Sequence, residues 1–310
     1  MNYINQAFKG KNNLWMFLLT TSLVSGMFIL NFITYLLSSK EDMDEVYDLM
    51  KSIPANISLI VNLLPFVFLL GLLFLLVKQL HERSILSLST SRVKIDWSRS
   101  FFAFSLIIIT SLLIFAVSAY FDPSAIEMQF DLKKFSILFA ISILLFPFQI
   151  GLEEYLFRGY LMQQIGVIAR NRWFPLMITS LFFGLFHSAN PEVAEIGFIT
   201  MVFYIGTGLF LGIITLMDDG LELALGFHLG NNLLAALLIT SDWSALQTDA
   251  IFRYTASEAN ITALEIILPV FLFYPILIYI FAKVYKWTNW KDKLTGPVTK
   301  DPLPTPSISE

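Results

Sequence analysis

Along most of this chain, apolar residues run almost unbroken for roughly twenty positions at a time, and short clusters of charge separate the runs. A run of that length is what an α-helix needs to cross about 30 Å of hydrocarbon, where backbone N–H and C=O groups must be satisfied within the segment itself. Eight such stretches lie near 14–38, 57–77, 101–121, 135–161, 173–189, 196–217, 221–240 and 262–284. The pattern predicts an all-α polytopic membrane protein with about eight transmembrane helices, forming one domain over residues 1–294. The first run exceeds the roughly 7–15 apolar residues of a signal peptide and no small-x-small cleavage site follows it, so it is expected to be a retained helix.

Composition agrees with the pattern. Of 310 residues, 56% are hydrophobic and 14% charged, against roughly 25% charged in soluble domains. A net charge of -4 without a basic stripe argues against a nucleic-acid partner and leaves membrane lipid as the expected surroundings. No cysteine is present, which excludes disulfides, thiolate ligands and a Cys nucleophile. If the N-terminus is cytoplasmic, fourteen of the twenty Lys and Arg residues fall on its side, five (Lys40, Lys51, Lys133, Lys134, Arg253) on the other, and Arg158 within a span. Basic loops stay inside, so both termini are expected in the cytoplasm. The turn between the sixth and seventh runs, with Asp218, Asp219 and Glu222, contains no basic residue and gives no support of its own. Residues 84–100, which mix apolar and basic side chains with Trp97, are expected to lie on the interface, and residues 295–310 to form a disordered Pro-rich tail. No internal repeat of the kind that marks inverted-repeat transporters is visible.

Against this apolar background the polar residues inside the spans stand out, because each costs roughly 2.5–3.5 kcal/mol to insert and calls for pairing or function. The fourth run contains GLEEYLFRGY. On a helix Glu154 and Arg158 share a face while Glu153 points about 100° away. A buried ion pair bracing the helices accounts for Glu154 and Arg158 but not for Glu153. Paired carboxylates removed from water are a setting for general acid and base work.

The fifth run ends FFGLFHSANP, with Phe183 and His187 one turn apart, and the seventh reads LGFHLGNNLL, with His228 and Asn232 on one face. Gly226 and Gly230 in the seventh run, like Gly208 and Gly212 in the sixth, allow close helix approach, and for the second pair plain packing is the preferred account. His81, among charges in KQLHER, is expected at the interface and is assigned no role. Measured from the cytoplasmic span ends, Glu153, His228 and His187 fall roughly 12–14, 10–12 and 20 Å deep, near the bilayer middle.

The ordered set EExxxR (Glu153, Glu154, Arg158), FxxxH (Phe183, His187) and HxxxN (His228, Asn232), each on a separate apolar helix, resembles the CAAX prenyl endopeptidase and bacteriocin-processing family over roughly residues 130–240. The resemblance implies a type II CAAX endopeptidase-like intramembrane protease acting on a membrane-associated protein or peptide, in a bacterial plasma membrane. It implies Glu153 as the general base for a water that His187 helps to position, His228 and Asn232 as oxyanion donors, and Glu154 with Arg158 as a brace. No cofactor is expected. Glu153, His187 and His228 also make a His2Glu zinc set, so a zinc-dependent protease on the same residues stays open. So does a non-enzymatic bacteriocin-immunity or scaffold membrane protein built on the same fold. Buried Glu and His also mark proton relays, which keeps a proton-coupled transporter open as well; Pro269 and Pro275 interrupt the eighth run.

Overall fold

The computed structural model describes residues 2–255 and 261–300. Helices dominate: α1 (Leu14–Leu37), α2 (Lys40–Ser52), α3 (Ala55–Gln79), α4 (Trp97–Phe121), α5 (Leu132–Ala169), α6 (Trp173–Leu185), α7 (Thr200–Asp218), α8 (Glu222–Leu237) and α9 (Ala263–Val284). The eight expected runs thus correspond to α1 and α3–α9. Of these, α1, α3, α4, α5, α7 and α9 are long and apolar enough to cross a membrane. The other two, α6 with 13 residues and α8 with 16, are shorter than a roughly 20-residue span. α8 is largely buried, whereas α6 buries one face and exposes Trp173, Phe174, Met177, Leu181 and Phe182 on the other. α8 packs on α4 and α5, α6 on α7, and the longer helices present Leu30, Phe68, Phe101, Leu113, Leu144 and Phe271 outward.

Small residues set these packings. A Cβ at Gly226 would lie 2.0 Å from the Ser100 carbonyl oxygen, and one at Gly230 2.5 Å from Ile107, so this glycine face of α8 belongs to α4. His228, two residues from either glycine, is thereby turned about 200° away, toward α5. Gly208 does the same between α7 and α6, where a Cβ would meet the Ser180 carbonyl at 2.8 Å.

One end of the molecule is built by charge. Arg92 donates to the Asp218 carbonyl (2.7 Å) and to the carboxylates of Asp218 and Glu222 (2.9 Å each), Arg99 pairs with Asp218, and Trp287 Nε1 donates to Asp218 Oδ1 at 3.2 Å. Lys293 pairs with Asp219, and the Tyr3 backbone N–H donates to Asp219 Oδ1. The acidic turn between α7 and α8, uninformative as sequence, therefore lies among the basic residues expected on the N-terminal side. Asn5 donates to the Thr299 carbonyl, which brings the two ends of the described chain together. Disorder does not begin at residue 295: Val298 is buried and its N–H donates to the Arg170 carbonyl. Residues 301–310 of the expected tail lie outside the described residues.

Two further expectations change at this end. Residues 84–90 do not lie flat on a surface: Ser87, Leu88, Ser89 and Thr90 are buried, Tyr3 OH donates to the Leu88 carbonyl, and only the following stretch exposes Val93 and Trp97. His81 is likewise enclosed rather than interfacial. Its Nδ1 faces the Lys11 carbonyl at 2.8 Å, so that nitrogen carries the proton, and Nε2 accepts from Tyr160 OH (3.0 Å) and Thr20 Oγ1 (3.2 Å). The opposite end holds a small sheet of β1 (Ile126–Met128), β2 (Ile239–Thr240) and β3 (Phe252–Tyr254) in the order β1-β3-β2, strands too short for the sequence pattern to reveal.

Burial lowers the proton affinity of His81 below the ordinary histidine value of about 6.5. The unfolded chain then binds more protons in the interval between the two values, so stability is full above about pH 6.5 and falls as the pH drops below it. Unfolding in detergent should show a steeper loss of stability between pH 7 and 5 for the parent protein than for His81→Gln; parallel profiles would remove His81 from that account.

Candidate functional site

The polar cluster begins on α5, where the α-helix gives way to a π-helical stretch over Tyr155–Leu161 directly after Glu153 and Glu154. Such bulges are frequent at functional sites because they re-aim side chains within a helix. Arg158, inside the bulge and fully buried, donates from Nη1 to Glu154 Oε1 at 2.9 Å and from Nη2 to the Gly208 carbonyl at 3.1 Å. Its guanidinium also lies 4.3 Å from the centre of the Phe183 ring. One side chain thus connects α5, α6 and α7.

The same Glu154 oxygen takes a second donor. His228 Nδ1 on α8 lies 2.7 Å from Oε1, and its other nitrogen, Nε2, is 3.6 Å from Glu153 Oε2. His228 therefore stands between the two glutamates. Glu153 is held on its other side by Gln149, which donates from Nε2 to Oε1 at 3.1 Å and accepts at its own oxygen from Asn232 Nδ2 at 3.5 Å. Glu153 Oε2 has no hydrogen-bond partner although the side chain is only 4% exposed.

His187 follows the end of α6 rather than lying within it. Its Nδ1 donates to the Phe183 carbonyl at 2.6 Å, and its ring stacks on Tyr204 of α7 with centroids 4.5 Å apart and planes at 22°. Tyr204 is fixed in turn by a hydrogen bond to Glu192, whose other oxygen accepts the Ala245 N–H at 2.8 Å, and by Asn190 at 2.9 Å. Phe183 touches both histidine rings, at 4.8 Å to His187 and 5.9 Å to His228.

The predicted residues divide accordingly. Glu153, Glu154, Arg158, His228 and Asn232 form one network of polar contacts, and His187 joins it through the Phe183 ring. Sequence reasoning passed over Gln149, Asn231, Glu192 and Tyr204. Gln149 carried a signal, an amide in an apolar run one turn before Glu153; Tyr204 is one of 11 tyrosines among 30 phenylalanines and carried none. The zinc set of Glu153, His187 and His228 fits this arrangement poorly. Among the described residues no group of three His, Asp or Glu side chains is placed to hold a metal ion, and His187 meets the other two only through the Phe183 ring. A cavity of about 330 Å³ lies near the sheet end of the fold, between Tyr47, Ser58 and Asn62 on one side and Pro191 and Ser244 on the other. It borders the segment that follows His187.

These contacts separate brace from site. Arg158→Met leaves the Glu154 carboxylate with only His228 in a sealed setting and should cost about 3–5 kcal/mol. Glu153→Gln, which leaves the Glu154–Arg158 pair intact and removes only the longer contact to His228, should cost less than Arg158→Met. Unfolding of both variants in detergent checks this, and equal losses would contradict the division.

Comparison with known proteins follows the same boundaries. Residues 134–234, which carry every motif residue of the cluster, match the family described as type II CAAX prenyl endopeptidase Rce1-like. The chain is also similar to the uncharacterized protein YyaK of Bacillus subtilis (strain 168), with 26% identity over 247 residues, 77% of this chain and 83% of that protein. No solved structure matches. Six helices among the described residues are able to cross a membrane and, together with that match, make the chain an integral membrane protein whose core, over residues 134–234, is similar to the type II CAAX prenyl endopeptidase Rce1-like family.

Proposed function

We propose that the protein is an intramembrane endopeptidase that hydrolyses a peptide bond of a membrane-associated protein or peptide with a water activated by Glu153. The observation that carries this reading is the unpartnered Oε2 of Glu153, buried and facing His228 Nε2 across 3.6 Å. The gap is too long for a direct hydrogen bond and sits where a water bound to both atoms is polarised. Glu153 takes a proton from that water at Oε2 while the remaining hydroxide attacks the scissile carbonyl carbon. The tetrahedral oxyanion accepts from Asn232 Nδ2–H and His228 Nε2–H, and Glu153 returns the proton to the leaving amine nitrogen as the C–N bond breaks. With Nδ1–H engaged by Glu154, His228 donates from Nε2 only when its ring carries both protons. Two carboxylates and Arg158 around that imidazolium leave the cluster with no net charge, which suits a site shielded from water. His187, with Nδ1 tied to Phe183, has Nε2 left to orient the water.

The reaction so drawn needs no metal, and the substrate is defined only as a polypeptide able to reach membrane depth. The bacterial plasma membrane is the proposed location, with both termini on its cytoplasmic side.

Purified protein in detergent, incubated with a quenched-fluorescent peptide library, should cleave library members, and Glu153→Gln should lose at least about a hundredfold of that rate, the scale of general-base catalysis, while remaining folded. Full activity of the variant would end the assignment. Chelators should leave the rate unchanged; inhibition reversed by added zinc would replace this mechanism with a zinc-dependent one.

A further inference from the structure

We infer that Gln149 and Asn231 are positioning residues that form, with Asn232 and Glu153, a one-way chain of side-chain hydrogen bonds setting which atoms of the base and of the amide meet the substrate. The inference rests on the glutamate-water reading above. Asn231 Nδ2 donates to Asn232 Oδ1 at 3.3 Å, Asn232 Nδ2 donates to Gln149 Oε1 at 3.5 Å, and Gln149 Nε2 donates to Glu153 Oε1 at 3.1 Å. Direction follows from the last link. A carboxylate accepts and does not donate, so the Gln149 nitrogen must face Glu153 and its oxygen must face away. That oxygen then requires the nitrogen of Asn232, and the oxygen of Asn232 requires a donor, which Asn231 supplies.

Two consequences bear on chemistry. Glu153 Oε1 is occupied, so the water's proton goes to Oε2, the oxygen that faces His228. Asn232 is fixed with its NH2 group toward Glu153, and the second hydrogen of that group remains for the oxyanion. A reversed amide would present a carbonyl oxygen to developing negative charge. None of this belongs to the three motifs; Gln149 lies one turn before the glutamate pair and Asn231 within the spacer of HxxxN. The charged and titratable groups around Glu153 are Glu154 and Arg158 on α5, His228 on α8, His187 after α6 and Tyr204 on α7.

Gln149→Met keeps an unbranched side chain of similar length and removes both hydrogen bonds. With library peptides cleaved by the parent protein, kcat should fall about tenfold to a hundredfold, the scale of a misplaced reacting group, with KM changed by less than about twofold. In infrared spectra recorded in detergent, the Glu153 carboxylate band, identified by its loss in Glu153→Gln, should be displaced in Gln149→Met, because a donor to the carboxylate is gone. Unchanged kcat and an undisplaced Glu153 band in Gln149→Met, with Glu153→Gln inactive, would overturn the positioning role alone. Retained cleavage by Glu153→Gln would overturn the reading beneath it. If no library peptide is cleaved, the position of the Glu153 band decides. If Gln149→Met does not fold, Asn231→Asp, at a half-buried position, carries the test: it removes the donor to Asn232 and should lower kcat with KM held, and a parental kcat would overturn the role.

Discussion

Glu154 Oε1 accepts from Arg158 at 2.9 Å and from His228 at 2.7 Å, and all three side chains are nearly sealed from solvent. The remaining architecture of the centre depends on this shared acceptor. Arg158 reaches the Gly208 carbonyl of α7 and the Phe183 ring of α6, so the anchored guanidinium fixes two neighbouring helices relative to α5. His228 fixes α8. In a low-dielectric interior an unpaired carboxylate or guanidinium is strongly unfavourable, so any arrangement that separates these helices is penalised. Polar groups here specify one packing among the many that apolar helices would accept in lipid.

Close approach makes that arrangement possible. Gly226 and Gly230 seat α8 against α4, and the same register turns His228 and Asn232 toward α5. Gly208 seats α7 against α6 and leaves its carbonyl within reach of Arg158. Two short helices, α6 and α8, bring Phe183, His228 and Asn232 to the centre, α8 largely buried and α6 with one face turned inward. The π-helical stretch after Glu154 belongs to the same design, since it places Arg158 in the segment where the helix widens.

Much of this was legible in the sequence. Apolar runs gave every long helix, because hydrocarbon thickness imposes a length that composition records directly. The motif residues stood out because ionisable groups are rare in such runs. Other features were hidden for physical reasons. His81 and residues 84–90 read as interfacial since flanking charges mark an interface on average, whereas here the N-terminal segment folds over them and supplies the Lys11 carbonyl and Tyr3 hydroxyl as partners. Asp218, Asp219 and Glu222 looked unsupported because their cations, Arg92, Arg99 and Lys293, are distant in sequence. The expected disorder from Thr295 ignored Val298, which finds a buried position against Arg170. Tyr204 and Glu192, which hold His187, carry no local pattern at all.

The adjacent glutamates are placed for unequal tasks. Both leave Oε2 without a hydrogen-bond partner, but Glu154 Oε1 accepts twice, from Arg158 and His228, while Oε2 of Glu153 faces His228 Nε2, in the core that matches the type II CAAX prenyl endopeptidase Rce1-like family. The most direct measurement is a mass-spectrometric comparison of new peptide termini in membranes containing the parent protein, Glu153→Gln, or neither. The expected result is a set of termini present only with the parent protein and absent with Glu153→Gln at equal protein abundance. An identical set in the presence of Glu153→Gln would contradict it.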